Sequence, residues 1–144
     1  MKPQRVQLRR TKGWRLPENT VIVSRPSRWG NPFVIGKAQV RMPAIDGSPW
    51  EYEGRLHKAS GERHAFNHAD GHYTWHQVEL ATAEQVVELF RQSVMRENVN
   101  TISGYPSIDE IVATLSGKNL ACWCPLDQPC HADVLLNLAN GRAA

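Results

Sequence analysis

The stretch Leu120-Ala-Cys-Trp-Cys-Pro-Leu-Asp-Gln-Pro-Cys-His-Ala-Asp-Val-Leu135 holds all three cysteines of the 144-residue chain. Residues 119–124 form a short apolar run, which predicts a buried strand. In residues 131–139 the apolar side chains recur with the period of a helix, and Asn140 and Gly141 mark its predicted end. In open α/β sheets, ligands bind between the carboxyl ends of strands and helix N-termini. The stretch therefore predicts an α/β fold with a functional site in its central loop.

The segments around it have the signals of further helices and strands. Thr82-Ala-Glu-Gln85 and Ser107-Ile-Asp-Glu110 are capping boxes, and each precedes an apolar stripe of helical period. The β-branched run at residues 20–24 predicts a strand. Together these signals predict a single α/β domain over residues 19–144, with a small, mainly parallel sheet flanked by helices.

Residues 36–78 fit this pattern less well. Prolines and glycines interrupt any helix there, and residues 50–52 and 72–78 alternate in character as hairpin strands do. We therefore expect an irregular insertion that contains short antiparallel strands.

The insertion also contains a regular series of histidines. They recur at every fourth residue: His64, His68, His72 and His76. On one helix this spacing would align the imidazoles as a metal stripe, but Gly71 breaks that helix. The series therefore has three interpretations: it forms a metal site, it supplies a single catalytic acid or base, or its spacing is accidental.

The N-terminal segment carries a local excess of positive charge that the net charge of +3 conceals. Its basic residues all precede the first acidic residue, Glu18: Lys2, Arg5, Arg9, Arg10, Lys12 and Arg15. We expect residues 1–18 to form a basic arm. Cations that meet a phosphate backbone, with Trp14 available to stack on a base, are typical of nucleic-acid-binding surfaces. A solvated arm without a partner is the alternative.

A second candidate site is the loop Arg25-Pro-Ser-Arg-Trp-Gly-Asn-Pro-Phe33, directly after the strand at 20–24. Its prolines exclude regular structure, and its many polar and aromatic side chains are more typical of a ligand surface than of a connector. The residues we expect to bind substrate are Arg25, Ser27, Arg28, Trp29 and Asn31. For the two aromatic residues, burial as core anchors is the alternative.

The cysteine stretch allows three interpretations. In the first, strand alternation places Cys122 and Cys124 on one face, and the loop can return Cys130 and His131 to them. These four residues are the ligands of a tetrahedral zinc site, although the C-x-C spacing and the adjacent Cys-His pair would each strain the tetrahedral geometry. Alternatively, the helix dipole lowers the pKa of Cys130, which acts as a nucleophile with His131 or Asp133 for proton transfer. In the third interpretation Cys122, and with it Cys124, is a small buried core residue. Asp133 then caps the helix and His131 bonds the backbone.

The composition disfavours several classes of protein. No apolar run approaches the roughly 20 residues that cross a bilayer, and residues 1–15 lack the apolar core of a secretory signal. An odd number of cysteines argues against a disulfide framework. We therefore expect a cytoplasmic protein that makes no membrane contact.

Three segments together resemble a known family. They are Arg25-Pro-Ser-Arg-Trp-Gly-Asn-Pro-Phe33, Gly117-Lys-Asn-Leu-Ala-Cys-Trp-Cys124 and Pro129-Cys-His-Ala-Asp-Val-Leu135, and they are similar to the domain of unknown function 4326 family of bacteria and their phages. The resemblance implies that the two loops form one site and that Asp133 belongs to it, because the family has an acid there. Ala132 stands where the family has glycine. The resemblance brings no established reaction.

These observations predict a nucleotide- or nucleic-acid-binding protein with zinc as a candidate cofactor. If it modifies or cleaves its ligand, we expect Cys130, His131 and Asp133 to be catalytic. A metal with an open fourth position would activate water for this chemistry, whereas four protein ligands would make the metal structural. The alternative is a non-catalytic, zinc-braced module that binds nucleic acid, nucleotide or a host protein.

Overall fold

The computed structural model describes residues 2–53, 63–96 and 104–142. The elements in chain order are β1 (Arg5–Gln7), β2 (Thr20–Ile22), β3 (Gln39–Met42), β4 (Glu51–Tyr52), β5 (Arg63–Asn67), β6 (Tyr73–Leu80), α1 (Ala83–Met95), α2 (Ile108–Leu115), β7 (Asn119–Cys122) and α3 (His131–Ala139). The fold is mixed α/β, as predicted. Its strands form a three-stranded parallel sheet and a four-stranded antiparallel sheet. The chain divides into two compact units, residues 33–86 and the remainder.

The parallel sheet has the strand order β1-β7-β2. Leu120 of the central strand lies opposite Arg5 of β1 and Val21 of β2. Leu120 and Ala121 are fully buried, as expected for a strand covered on both faces. Because all three strands run in the same direction, the loops that follow them leave the sheet at one edge. This carboxyl edge positions both loops that the sequence singled out.

The predicted capping box at Thr82 has both of its hydrogen bonds, and the one at Ser107 has the bond to its serine. The Thr82 backbone N–H donates to Gln85 Oε1, and the Gln85 backbone N–H donates to Thr82 Oγ1. Ser107 is the N-cap of α2 and accepts from the backbone N–H of Glu110. The helices begin where the sequence predicts them because these side chains satisfy backbone donors that have no partner within the helix.

Helix α3 closes the chain against the parallel sheet. It contacts α2, β7 and β1. The core of this unit contains the fully buried side chains of Ile111, Leu115, Leu120 and Leu135. Packing against this core fixes the start of α3, where Cys130 is the N-cap residue.

The N-terminal segment differs from the expected basic arm because Arg5–Gln7 is a strand of the sheet. Three residues are too few for hydrophobic periodicity to reveal, and the parallel register with β7 supplies the pairing. Leu8 continues the pairing by donating its N–H to the Cys122 carbonyl at 2.9 Å. The segment is therefore tied to the residue at which the cysteine stretch leaves the sheet.

The unit of residues 33–86 contains the antiparallel sheet, in the order β4-β3-β6-β5. The insertion is thus more regular than the sequence predicted, although its strands are antiparallel as expected. Its histidines lie on strands and a turn: His64 pairs with His76, and the His68 and His72 rings stack with centroids 4.1 Å apart. No helix in the described part of the chain has the length and apolar character that would let it cross a membrane.

Candidate metal centre and ligand cleft

The three cysteine thiols converge beyond the carboxyl end of β7. Their sulfur atoms all lie within 4.8 Å of one another, and the Sγ atoms of Cys122 and Cys124 are 3.8 Å apart. In a tetrahedral zinc site, Zn–S bonds of about 2.3 Å place neighbouring sulfurs about 3.8 Å apart. The C-x-C spacing therefore fits a tetrahedron here, because strand alternation turns both thiols to the same side.

Arg5 holds the loop that returns Cys130 to the other cysteines. Its Nη2 donates to the carbonyls of Pro125, Leu126 and Gln128 at 3.2, 2.7 and 2.9 Å. Its Nη1 lies 3.5 Å from Asp133 Oδ2 in an ion pair, and only 8% of the Arg5 side chain is exposed. One buried guanidinium therefore connects β1, the loop and the first turn of α3.

His131 is oriented toward the cluster by a hydrogen bond on the far side of its ring. Its Nε2 lies 2.9 Å from the Val23 carbonyl oxygen, which can only accept, so Nε2 carries a proton. In the neutral ring, Nδ1 then has a lone pair, and it lies 3.7 Å from Cys130 Sγ. Histidines that bind metals commonly donate their other N–H to a backbone carbonyl in this way. His131 thus has the tautomer of a metal ligand, with Nδ1 next to Cys130, whereas the ligand atoms that converge within 4.8 Å of one another are those of the three cysteines.

Hydrogen bonding within the cluster shifts the pKa of Cys122 and the pKa values of the other two thiols in opposite directions. Hydrogen bonds from Cys124 and then Cys130 lower the pKa of Cys122. Hydrogen bonding to Cys122 raises the pKa of both other thiols, and burial adds to the effect. The sequence predicted a lowered pKa at Cys130, but its hydrogen bonds and burial outweigh the helix dipole. A divalent cation would replace the thiol protons in holding these sulfurs together.

The loop after β2 lines a cleft of about 400 Å³. Arg25 donates from Nη1 to the Asn31 carbonyl at 2.6 Å, which fixes its guanidinium at the cleft wall. Arg28 lies over the Trp29 ring at 4.7 Å from its centroid and pairs with Glu110 at 2.5 Å. The lining also includes Ser27, Gly30, Asn31 and Tyr105. Two arginines therefore present donors to one cavity.

Trp29 is part of the core and not an exposed stacking surface. Its side chain is 4% exposed, and its backbone carbonyl accepts a 2.8 Å hydrogen bond from the Tyr105 hydroxyl. Phe33 is equally buried. Both aromatic residues are therefore core anchors, which was the alternative to ligand binding. Of the expected substrate-binding residues, the structure brings Arg25, Ser27, Arg28 and Asn31 to the cleft, with Asn31 itself buried.

The two loops are connected through His131. Val23, which accepts from His131, lies two residues before Arg25, the first residue of the loop at 25–33, which we call the arginine loop. The Phe90 ring packs edge-on against His131 and Tyr105, with centroids 5.3 and 5.2 Å apart. Tyr105 in turn bonds the arginine loop at Trp29. The cysteine cluster and the cleft therefore share supporting side chains.

Three supporting residues were not among the predicted site residues. Arg5 is one of six basic residues in the N-terminal segment, and only the parallel pairing of β1 with β7 distinguishes it from the other five. Glu110 stood in a capping box, and Tyr105 in no recognisable motif. Within the described residues, the group that could hold a metal consists of the three cysteines, and the histidine series of the insertion is not part of it.

Glycine is required at position 30 because the backbone there lies close to Arg25 of the same loop. A Cβ at Gly30 would lie 2.7 Å from Arg25 Cγ and 3.1 Å from Arg25 Cα. We therefore expect Gly30→Ala to lower the free energy of unfolding by about 1–3 kcal/mol and to displace Arg25 from the cleft. Chemical denaturation measures the first effect. Lys37→Ala, at an exposed position, is the control and should stay within about 0.5 kcal/mol of wild type.

A family model decides the membership of the chain, because it matches residues 6–141. The chain belongs to the family described as domain of unknown function (DUF4326). The match extends beyond the two loops to the insertion and most of the N-terminal segment. No curated protein and no solved structure gives a significant match. The match thus covers both loops and the three cysteines, begins one residue after Arg5, and carries no activity.

Proposed function

We propose that this DUF4326 protein is a metal-braced module that binds a nucleotide, free or within a nucleic acid, through the phosphate. The observation that carries the proposal is the cleft of about 400 Å³ with Arg25 and Arg28 in its wall. Sites for small molecules have volumes of about 300–1,000 Å³. Arginine forks match the geometry of phosphate oxygens and can bind them with two hydrogen bonds.

The arginines are supported in a way that suits phosphate binding. The bond from Arg25 Nη1 to the Asn31 carbonyl orients the guanidinium and leaves its other nitrogens to face a ligand. Arg28 and Glu110 form an exposed pair, with 58% and 55% of their side chains accessible. Such pairs contribute about 0–1 kcal/mol, so a phosphate can displace Glu110 at small cost.

The metal would be zinc, with Cys122, Cys124, Cys130 and His131 as ligands. Zinc prefers this combination of thiolates and imidazole, and four protein ligands make a closed, structural site. Such a centre would fix the loop after β7 and, through the bond of His131 to Val23, the start of the arginine loop. In this role the metal shapes the cleft and takes no part in a reaction.

A catalytic role is the second candidate, favoured by the partial exposure of Cys124 and by the position of Asp133. Cys124 is only half-buried, so a metal held by the three thiolates alone could keep a water in the fourth position. Asp133, half-exposed beside Arg5, would be the general base. Loss of nucleotide turnover in Asp133→Asn with full metal content would support this role. Unchanged nucleotide after long incubation with wild type would exclude it for the nucleotides tested.

Calorimetric titration with ATP, GTP and their deoxy forms tests the proposed binding. We expect Arg25→Ala to raise the dissociation constant at least about tenfold, because charge-assisted hydrogen bonds contribute about 1.5–3 kcal/mol each. Arg63→Ala removes an exposed arginine of the other unit and should leave the affinity unchanged. Absence of nucleotide binding by wild type, or equal binding by Arg25→Ala, would contradict the proposal.

A further inference from the structure

An exposed tryptophan lies beside the cysteine cluster and has no role in the proposed phosphate site. Trp123 stands between Cys122 and Cys124 and is 44% exposed. The guanidinium carbon of Arg10 lies 4.9 Å from its ring centroid. The flanking cysteines anchor the backbone of Trp123 on both sides, so the indole is presented from a fixed position. A rigid, exposed indole with an arginine over its ring is a surface on which a nucleic-acid base can stack.

Arg10, which contacts this indole, belongs to a run of basic residues. The bond from the Leu8 N–H to the Cys122 carbonyl places the start of the basic segment next to Trp123. Arg9, Arg10 and Lys12 follow Leu8 directly and are exposed. Two acidic residues are near, Asp127 in the exposed loop and Asp133, which Arg5 pairs. The cations therefore outnumber the acidic groups on this side of the edge.

The order of the sheet places the indole between two groups of cations. The loop after β1 carries Arg9 and Arg10, the loop after β7 carries Trp123, and the loop after β2 carries Arg25 and Arg28. Because β7 is the central strand and neighbouring strands lie about 4.8 Å apart, the two outer loops leave the sheet roughly 10 Å from each other. A mononucleotide in the cleft would use only one of these groups.

We propose that the ligand is single-stranded nucleic acid, with one base stacked on Trp123 and the backbone contacting both groups of cations. This inference rests on the proposed phosphate site and names its ligand class. A duplex keeps its bases stacked on each other and offers Trp123 no free face, whereas an unpaired base has one. Stacking tolerates any base, so the preference is for strandedness over sequence.

Fluorescence anisotropy with labelled dT12, rU12 and a 12-base-pair duplex tests the inference on the 144-residue chain as purified. We expect Trp123→Ala to weaken binding of both single strands roughly 5- to 100-fold and Trp123→Phe to retain most of the affinity. We also expect Arg10→Gln to reduce the slope of log affinity against log salt by about one. The duplex should bind more weakly than either single strand.

The chain provides a matched control in its other unit. Trp75 is 47% exposed and has Arg63 over its ring at 5.2 Å, so it is the same kind of pair at a different place. Trp75→Ala should leave single-strand affinity unchanged. The metal content and melting temperature of each variant show whether a loss of binding reflects misfolding. If Trp123→Ala is misfolded, the affinity of Trp123→Phe for single strands decides the test.

The outcomes separate this inference from the proposed function. If ATP binding depends on Arg25 but Trp123→Ala and Trp123→Phe both bind single strands as wild type does, the stacking inference is overturned and the phosphate site stands. Equal affinity for the duplex also overturns it. If neither nucleotides nor oligonucleotides bind, both proposals fail.

Discussion

Replacing Cys130 by serine is expected to abolish metal binding at the proposed centre and to lower the free energy of unfolding by on the order of 4 kcal/mol or more. Cys130 is 1% exposed and begins α3, so the variant loses a ligand and places a hydroxyl among buried thiols. The loop that Cys130 returns to β7 would then depend on Arg5 alone. Metal analysis by mass spectrometry, with thermal melting before and after a chelator, measures both effects.

Alanine variants of two histidines, one at the proposed metal centre and one in the other unit, provide the control. We expect His131→Ala to lose most of the metal, whereas His72→Ala should retain it, since His72 is exposed and bonds Asp70 in the other unit. The chelator should lower the melting temperature of wild type and of His72→Ala but not of Cys130→Ser. Metal-free wild type, or a Cys130→Ser variant that melts as wild type does, would contradict the proposed centre.

Replacing Arg5 by glutamine is expected to have the second-largest effect, a loss of about 2–4 kcal/mol in the free energy of unfolding. The variant removes a buried cation that donates to three loop carbonyls and pairs with Asp133. Because this loop joins Cys124 to Cys130, we also expect metal affinity to fall about 10- to 100-fold, as with other groups that orient ligands. Competition with a chromophoric chelator measures the affinity.

Arg9→Gln is the matched control, because Arg9 lies in the same segment and its side chain is exposed. Its stability should stay within about 0.5 kcal/mol of wild type, with unchanged metal affinity. If Arg5→Gln behaves like Arg9→Gln, the loop is not held by Arg5. If Arg5→Gln is destabilised but keeps its metal affinity, Arg5 supports the fold and not the centre.

Much of the parallel unit, and the start of α1, could be predicted from the sequence because the signals are local. Capping boxes at Thr82 and Ser107 mark helix starts, and continuous apolar runs mark β2 and β7. The convergence of the thiols follows from strand alternation and a short loop. These features depend on residues that are near one another in the chain.

Features that depend on distant residues could not be predicted. β1 and Arg5 are recognisable only once β7 lies beside them, more than one hundred residues later. The lowered pKa of Cys122, where the helix dipole suggested Cys130, depends on which thiol accepts the hydrogen bonds. The sequence predicts an irregular insertion because Pro43, Gly47 and Gly71, which interrupt any helical pattern, lie in turns between the strands of a regular sheet.

The central claim is that a closed metal centre of three thiolates and His131 braces the nucleotide cleft. X-ray absorption at the zinc edge of the purified protein tests it most directly. The account predicts three sulfur neighbours at about 2.3 Å and one nitrogen at about 2.0–2.1 Å. Three sulfurs with a water oxygen in place of the imidazole, or protein without bound metal, would contradict it.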